Sequence, residues 1–558
     1  MTTDIEASPK KTIRNEVKRP SNDSCFQEKE PVTSHDPVAS PTETVLSWHE
    51  DPLNPHNWPP ARKYTATLLL SAFVFNALMS STIIAPALSQ ITKDLHIPSD
   101  AQTQLVLSIY VLSYAAGYFF WAPLSEVYGR VPVLQVASTW FLSWNMVCSF
   151  ATSKAMITVG RLFSGSGAAA SLAISSSMVG EIWRAEERGH SLAILSIITN
   201  LGPCIGPVVG GVVAERPPSS WHWAFWATSI LNVLLQLLSI PLLHESHAQM
   251  ILTKKPGPAG AIFRHKSWRT PLRILLKAFH RPIYLCYTQP ASRGIVVYAG
   301  ISFGTLYTLI VAIPVAFESI YHQSVMMASL NYLSFGIGTT LGAQICGPLN
   351  DWLYKTNVDQ NSEQEIAGNV RKERPAKLPY KPPAEIRLYS LGPAVLLMTV
   401  ALLIFGWTLQ SGRVHWIVPN IGIFLFGNGQ QVVIQCTNAY IIEVFSEIQS
   451  TVPAATEGTN AKGIHGESGS EARPSSRANI NWTASAMASI WGFKSLCGFT
   501  CPLFAIDMIK GLGWGCSFTL LALLNLAFGL PLTIVMLKYG QELREKGRQA
   551  IEEMIARS

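Results

Sequence analysis

The sequence predicts an all-α membrane protein of about twelve transmembrane helices in two pseudo-symmetric six-helix halves. Three observations carry this. Hydrophobic residues make up 48% of the 558 positions and charged residues only 14%, against about 25% charged in soluble proteins. The apolar residues are gathered into runs close to the roughly 20 residues that a helix needs to cross a bilayer. Finally, two short stretches echo each other: Ala122-Pro123-Leu124-Ser125-Glu126-Val127-Tyr128-Gly129-Arg130 and Gly347-Pro348-Leu349-Asn350-Asp351-Trp352-Leu353-Tyr354-Lys355. Both read small-Pro-Leu-polar-acid, end on a base and follow an apolar run, as expected of a chain with one copy per parallel half.

Taken in order, residues 1–62 are polar, rich in Ser, Thr, Pro and charge, and read as a disordered cytosolic tail without a cleavable signal. The first half, 63–243, holds apolar runs near 64–87, 104–124, 132–151, 156–179, 191–214 and 222–243. A hydrophilic central loop, 244–290, separates it from the second half, 291–538. There the runs lie near 292–316, 326–349, 390–409, 415–442, 483–506 and 515–537. Between spans ten and eleven, 446–482 is rich in Ser, Gly, Ala, Thr and Glu and reads as a flexible cytosolic insertion. Residues 539–558 form a cytosolic C-terminal tail, and the sequon Asn481-Trp482-Thr483 falls on the cytosolic side.

Orientation follows from the bases. The central loop carries Lys254, Lys255, Arg264, Lys266, Arg269, Arg273, Lys277 and Arg281, and the interval 351–389 is similarly basic. Loops of opposite parity carry about one base each: Lys93, Lys154, Arg216, Arg413 and Lys510. By the positive-inside rule both termini, and both echoing motifs, face the cytosol. The net charge of +7 is therefore a topology signal rather than a nucleic-acid footprint. The nine cysteines are scattered, with only Cys497 and Cys501 on one helical face, so no disulfide scaffold is expected. A Gly-rich phosphate loop ending in Gly-Lys-Ser/Thr is absent, which argues against an ATP-driven pump. Only His244 and His247 are closely spaced, too few for a membrane iron enzyme. No enzyme activity, cofactor or metal site is expected.

The echoing motifs are candidate cytosolic gates, with Glu126, Gly129 and Arg130 in one copy and Asp351 and Lys355 in the other. Pro123 and Gly129 suit a helix end and a tight turn. Glu126 and Arg130 are four apart, close enough to pair or to bind the ends of neighbouring helices. In span five, Gly202, Gly206 and Gly210 recur every four residues beside Pro203 and Pro207. That spacing gives a smooth face for close helix approach, and Gly338 and Gly342 offer a matching surface in span eight.

These residues together resemble the major facilitator superfamily in its fungal form. Pro123-Leu124-Ser125-Glu126 with Gly129-Arg130 is similar to the family's loop signature, and Arg161 with Gly165 and Gly167 to its span-four motif. Gly202 to Gly211 resembles the antiporter motif of span five. Asp51 to Trp58 before span one and Pro383 to Leu388 before span nine match as well. The resemblance covers 48 to about 540 and implies a twelve-span drug/proton antiporter. Three departures stand out. Ala122 replaces the usual Gly, Val131 replaces a common second base, and 451–480 looks inserted, as a genuine loop or a gene-model artefact.

The resemblance places substrate between the halves near mid-membrane. Two stripes at helical spacing are candidates to line that space: Tyr110, Tyr114 and Tyr118 in span two, and Asn428, Gln431, Gln435 and Asn438 in span ten. Core packing of the tyrosines and helix–helix bonding of the amides are the equal alternatives. Two bases lie within spans, where charge is costly. Arg161 matches the arginine that the family links to proton transfer, which makes it the coupling candidate. Lys494 would contact an anionic substrate or pair with backbone carbonyls. No carboxylate lies near the middle of a span; Glu181, Glu443, Asp351, Glu318 and Asp507 sit towards span ends, so the titrating group stays open.

The expectation is a monomeric exporter of drugs or secondary metabolites that exchanges substrate for protons by alternating access. Its partners are the small molecule, protons and lipid, with no nucleic acid. It would sit in the plasma membrane, or alternatively the vacuolar membrane. A facilitative or proton-symport importer on the same fold, or a non-transporting receptor, are the rival readings.

Overall fold

Apolar runs of this length have one way to satisfy their backbone in lipid as single segments, and that is the α-helix. The computed structural model describes residues 51–184, 188–215, 221–254, 289–367, 384–461 and 482–557. The regular structure among these residues is helical throughout. The first-half helices are α1 (Pro60–Thr82), α2 (Leu88–Asp94), α3 (Asp100–Tyr128), α4 (Arg130–Ser149), α5 (Lys154–Ile182), α6 (Arg188–Ala214), α7 (His222–Leu242) and α8 (Ala248–Lys254). The second half contributes α9 (Pro290–Ser319), α10 (Val325–Leu330), α11 (Tyr332–Ala367), α12 (Leu391–Ser411), α13 (Ile417–Ala461), α14 (Trp482–Leu503) and α15 (Ala505–Arg557).

Local chemistry sets the boundaries. Pro60 and Pro290 stand in the first turns of α1 and α9, where a missing N–H costs nothing. Ser153 caps α5 by accepting a hydrogen bond from the Met156 N–H at 3.3 Å. Gly129, at φ +99°, breaks the chain between α3 and α4 in a conformation that side chains rarely adopt.

Among the described residues, nine helices are long and apolar enough to cross a membrane. The remaining three of the expected twelve are α4, α11 and α14. Each is of span length but diluted by polar residues: Gln135 and Asn145 in α4, Ser334, Thr339, Thr340 and Gln344 in α11, and Lys494 in α14.

The loops differ from expectation. Helix α13 continues to Ala461, so the first part of the segment read as a flexible insertion from 446 onwards is helical. Helix α15 runs to Arg557, making the C-terminal tail a helix. The basic cluster 264–281 and Asn481 of the sequon lie outside the described residues, as does the N-terminal tail through Glu50.

Within the first half α3 packs on α5, α1 on α6, and α4 on both α5 and α7. Within the second, α9 packs on α14, α11 on α13, and α12 on α13 and α15. The halves meet chiefly through α3 with α14 and α6 with α11, and also where α10 packs on α6 and α15 on α3. A central space bounded by those two seams is where a site must lie.

Candidate functional site

The glycines build the walls first. A Cβ at Gly202 would lie 2.9 Å from the Phe75 carbonyl oxygen, at Gly206 2.7 Å from that of Met79, and at Gly210 1.8 Å from that of Ile83. The first two contacts are to α1 and the third to Ile83, which caps its end, and the Thr82 hydroxyl adds a 3.4 Å bond to the Pro203 carbonyl. Helix α6 runs through both Pro203 and Pro207, with Pro207 buried beside Gly206. Gly338 and Gly342 do not face this surface. They face α13, where a Cβ on either would run into the carbonyl oxygens of Phe424 and Asn428 respectively. Each glycine ladder is thus a seam inside its own half. The contact between halves at this level is Cys204 of α6 against Gly336 of α11.

Between the halves lies a cavity of about 680 Å³. From the first half it is lined by Leu78, Tyr118, Leu172, Ser175, Ser176, Thr199 and Asn200, and from the second by Phe303, Tyr307, Thr339, Gln430, Gln431, Asn438 and Trp491. It extends to Glu126, Arg130, Gly180 and Glu181 at the end that the basic loops assign to the cytosol. The mixture of apolar, aromatic and amide surface suits an amphipathic small molecule.

Both predicted stripes are split. Tyr118 lines the cavity and stacks on Trp491 across the two halves, ring centroids 5.3 Å apart and planes 10° apart. Tyr110 and Tyr114 do not reach it. Each is fully buried and donates its hydroxyl to the Ala77 carbonyl, at 3.0 and 3.1 Å. Tyrosines four residues apart drift around the helix axis, so the cytosolic end of the stripe faces the space and the rest enters the core. In α13, Gln431 and Asn438 line the cavity, Asn428 packs its backbone against Gly342, and Gln435 is half-buried off the lining.

The two intramembrane bases have different surroundings. Arg161 is fully buried and donates to the carbonyls of Ser80 (2.7 Å), Ser81 (3.2 Å) and Val106 (3.3 Å), with Tyr110 packed 4.2 Å from its guanidinium. It ties α1 and α3 to α5 and lies off the cavity lining. Lys494 is 1% exposed; its ammonium donates to the Asn438 side-chain oxygen at 3.3 Å and lies 5.1 Å from the Trp491 ring centre.

At the cytosolic end, Glu126 and Arg130 do not pair as i,i+4 neighbours of one helix, because Gly129 ends α3 between them. Arg130 instead donates through Nε (3.1 Å) and Nη2 (2.9 Å) to Glu181 and through Nη1 to the Ser125 hydroxyl (2.6 Å). Ser246 donates to the other Glu181 oxygen. Glu245 accepts from the backbone N–H of Arg130 at 2.9 Å and of Val131 at 3.2 Å, a carboxylate at the positive end of α4. Glu126 faces the cavity mouth. The second half carries its own cluster. Arg544 makes a forked pair with Glu385 at 2.8 and 2.9 Å, Arg387 meets Glu443 at 3.2 Å, and Asn350 contacts Ser390, Cys346 and Cys436. Asp351 lies in α11 just beyond Asn350, its side chain outside the described set, and Lys355 one turn on is exposed.

The opposite end is closed by contacts between the halves. Gly211 of α6 is seated against Ser329 of α10. The exposed carboxylate of Glu215 accepts the Met326 N–H at 3.0 Å; bonds from that group and from Ser324 hold its carboxyl below the usual range. Lys510 pairs with Asp100. The space is therefore accessible from the cytosolic end and shut at the other.

Sequence reasoning missed Trp491, Gln430, the Ser175–Ser177 run, and the partners Glu245, Glu385 and Arg544. A signal existed for some: three consecutive serines inside an apolar run are out of place unless they face polar space. Among the described residues, no group of three or more His, Cys, Asp or Glu side chains gathers to hold a metal ion.

A two-half helical bundle in lipid, with a central amphipathic cavity open at one end, has the architecture of a solute carrier. The family model of the Major Facilitator Superfamily matches residues 69–457, and the chain belongs to that superfamily. Among relatives, it is 32% identical over 514 residues to the efflux pump vrtL of Penicillium aethiopicum, covering 91% of each chain. It is 29% identical to the probable efflux pump mfs2 of Aspergillus flavus, over 84% of this chain and 99% of that one. Its fold is similar to that of the xylose transporter XylE from E. coli in a partially occluded inward open conformation. There the TM-score is 0.54 at 15% identity, over 86% of this chain and 98% of that one. The protein is an integral, multi-pass membrane protein.

Proposed function

We propose that this chain exports amphipathic small molecules, drugs or secondary metabolites, by alternating access driven by inward proton flow. The observation that carries the reading is the cavity itself: about 680 Å³ between the halves, apolar and amide-lined, reached from the cytosolic end and closed at the other. A molecule dissolved in the cytosol or the inner leaflet enters there. Rocking of the halves about the α3–α14 and α6–α11 seams would close the cytosolic end and part the Asp100–Lys510 and Glu215–Met326 contacts. Efflux relatives at about 30% identity across nearly the whole chain support the direction.

In this reading the Arg130–Glu181–Glu245 cluster braces the cytosolic end of the first half, with Gly129 allowing the turn that holds it. Asp351 and Lys355 act at the equivalent place in the second half, and Glu126 at the mouth of the cavity. The seams at Gly202, Gly206 and Gly210 and at Gly338 and Gly342 keep each half rigid while they rock. Arg161 assists coupling through its grip on α1 and α3. The protein works as a monomer in the plasma membrane.

The test is accumulation of a fluorescent hydrophobic dye in cells expressing the chain, with and without a protonophore. Lower accumulation that the protonophore abolishes is expected. Higher accumulation that is insensitive to the protonophore would defeat the reading in favour of an importer or facilitator.

A further inference from the structure

We propose that the cargo is a flat aromatic organic anion, with Lys494 as its counter-charge and Tyr118 and Trp491 as its stacking faces; this rests on the transport reading above. Lys494 is one of two bases that lie within the spans. An ammonium carries three N–H donors and no acceptor. In α14 this one is 99% buried, and among the described residues it has one acceptor, the Asn438 side-chain oxygen at 3.3 Å. No carboxylate pairs with it there. A buried amine with no counter-ion either sheds its proton or takes its counter-charge from elsewhere, and within a membrane span such a group marks function by default. Arg161, the other intramembrane base, has three carbonyl acceptors and needs nothing further.

Both groups that touch the ammonium line the cavity. Asn438 bonds it, and Trp491, one turn before it on α14, presents its ring 5.1 Å away. A single amide and a single ring therefore stand between the buried amine and the cavity, and an anionic ligand would hold that amine in its charged form. Rotation of the Asn438 side chain would expose the two N–H groups that lack acceptors to an anionic oxygen.

The same place is built for a flat ring. Tyr118 of the first half and Trp491 of the second are stacked within 10° of parallel. They belong to the two helices, α3 and α14, that form one of the seams between the halves. When that seam opens, two near-parallel faces part, and an aromatic ring that slides between them replaces the lost stacking on both sides. A cationic cargo is disfavoured on two counts. The charged lining residues, Glu126, Arg130 and Glu181, all lie at the cytosolic mouth, so among the described residues no lining carboxylate awaits a cation at depth. The face of Trp491 is already taken by Lys494.

The experiment measures binding, not transport. The purified full-length chain is titrated with anthracene-9-carboxylate and with its neutral methyl ester, followed by the anisotropy of anthracene emission. A charge-assisted hydrogen bond in a dry site gives the acid an advantage of about tenfold or more in Kd. Lys494→Gln is expected to erase that advantage, and Lys494→Arg to keep it. An ester that binds the wild type as tightly as the acid, or an acid preference that survives Lys494→Gln, overturns the proposal. Should Lys494→Gln fail to fold, the wild-type comparison and Lys494→Arg decide alone. Acid-selective binding without protonophore-sensitive export would sink the transport reading and leave only an aromatic-anion binding site; export of dyes without acid preference in binding would sink this inference and leave the transport reading standing.

Discussion

Replacing each glycine of the α6 ladder with alanine yields a graded series. A carbon–oxygen contact becomes ordinary at 3.4 Å, and the new Cβ would sit 2.9 Å from the Phe75 oxygen at 202, 2.7 Å from that of Met79 at 206 and 1.8 Å from that of Ile83 at 210. The shortfalls are therefore 0.5, 0.7 and 1.6 Å, all against backbone that a rotamer change cannot move aside. Alanine is favoured over glycine in a helix by about 0.8–1.0 kcal/mol, and overpacking a tight contact costs about 1–3 kcal/mol. At Gly202 the two terms nearly cancel. At Gly210 the steric term dominates, because α1 and α6 must separate by more than an ångström. Thermal unfolding of the detergent-purified variants should place Gly202→Ala near wild type, Gly206→Ala below it and Gly210→Ala lowest. Gly338→Ala, at 2.2 Å from the Phe424 oxygen, should fall between the last two. A Gly210→Ala protein as stable as wild type, or a reversed order, would refute the close-seam reasoning.

Further outcomes follow from the site. Tyr110→Phe and Tyr114→Phe each remove one of two hydroxyls on the Ala77 carbonyl, and should cost about 1 kcal/mol of stability while leaving the spectrum of exported dyes unchanged. Tyr118→Ala should change that spectrum, as a panel of dyes in cells would show. Removing either member of Arg130–Glu181 leaves a partly buried charge behind, a loss of up to about 3–5 kcal/mol. The double variant should recover part of it in a thermal double-mutant cycle. At the outer end, the carboxyl of Glu215 titrates below its ordinary value while bound to Met326 and Ser324. That tie is fully present above the usual carboxylate pKa of about 4.3, and it is lost as the external pH falls through the lowered value. Labelling of a Ser329→Cys protein by an impermeant maleimide should therefore rise only once the external pH has fallen below the ordinary carboxylate range, and should already be high, and flat with pH, when Glu215→Gln is added.

The fold was legible because it is written in run length and repetition, which survive without tertiary information. The glycine seam was legible for a related reason: a four-residue spacing names a face, whatever that face meets. What it meets was not. Gly338 and Gly342 bear the same signature as the α6 ladder, yet they pack on α13, since partner choice depends on the arrangement of whole helices. The Glu126–Arg130 pair failed because i,i+4 geometry holds only within one helix, and Gly129 ends it. The stripes split for a third reason. A straight helix drifts around its axis over two turns, so Tyr118 reaches the cavity and Tyr110 does not. Trp491 was invisible because nothing local distinguishes a cavity-facing tryptophan from a lipid-facing one. The ion pairs Arg544–Glu385 and Arg130–Glu181 join residues 159 and 51 positions apart, beyond any spacing rule.

If the halves rock as proposed, export requires the outer contact between them to open. The direct test is Asp100→Cys with Lys510→Cys, two exposed positions that now form an ion pair across that contact. A membrane-impermeant, reducible bifunctional thiol reagent is applied to cells, with each single variant as control. Dye export should stop on cross-linking of the double variant alone and return when the link is reduced. Full-rate export by the cross-linked protein would contradict it.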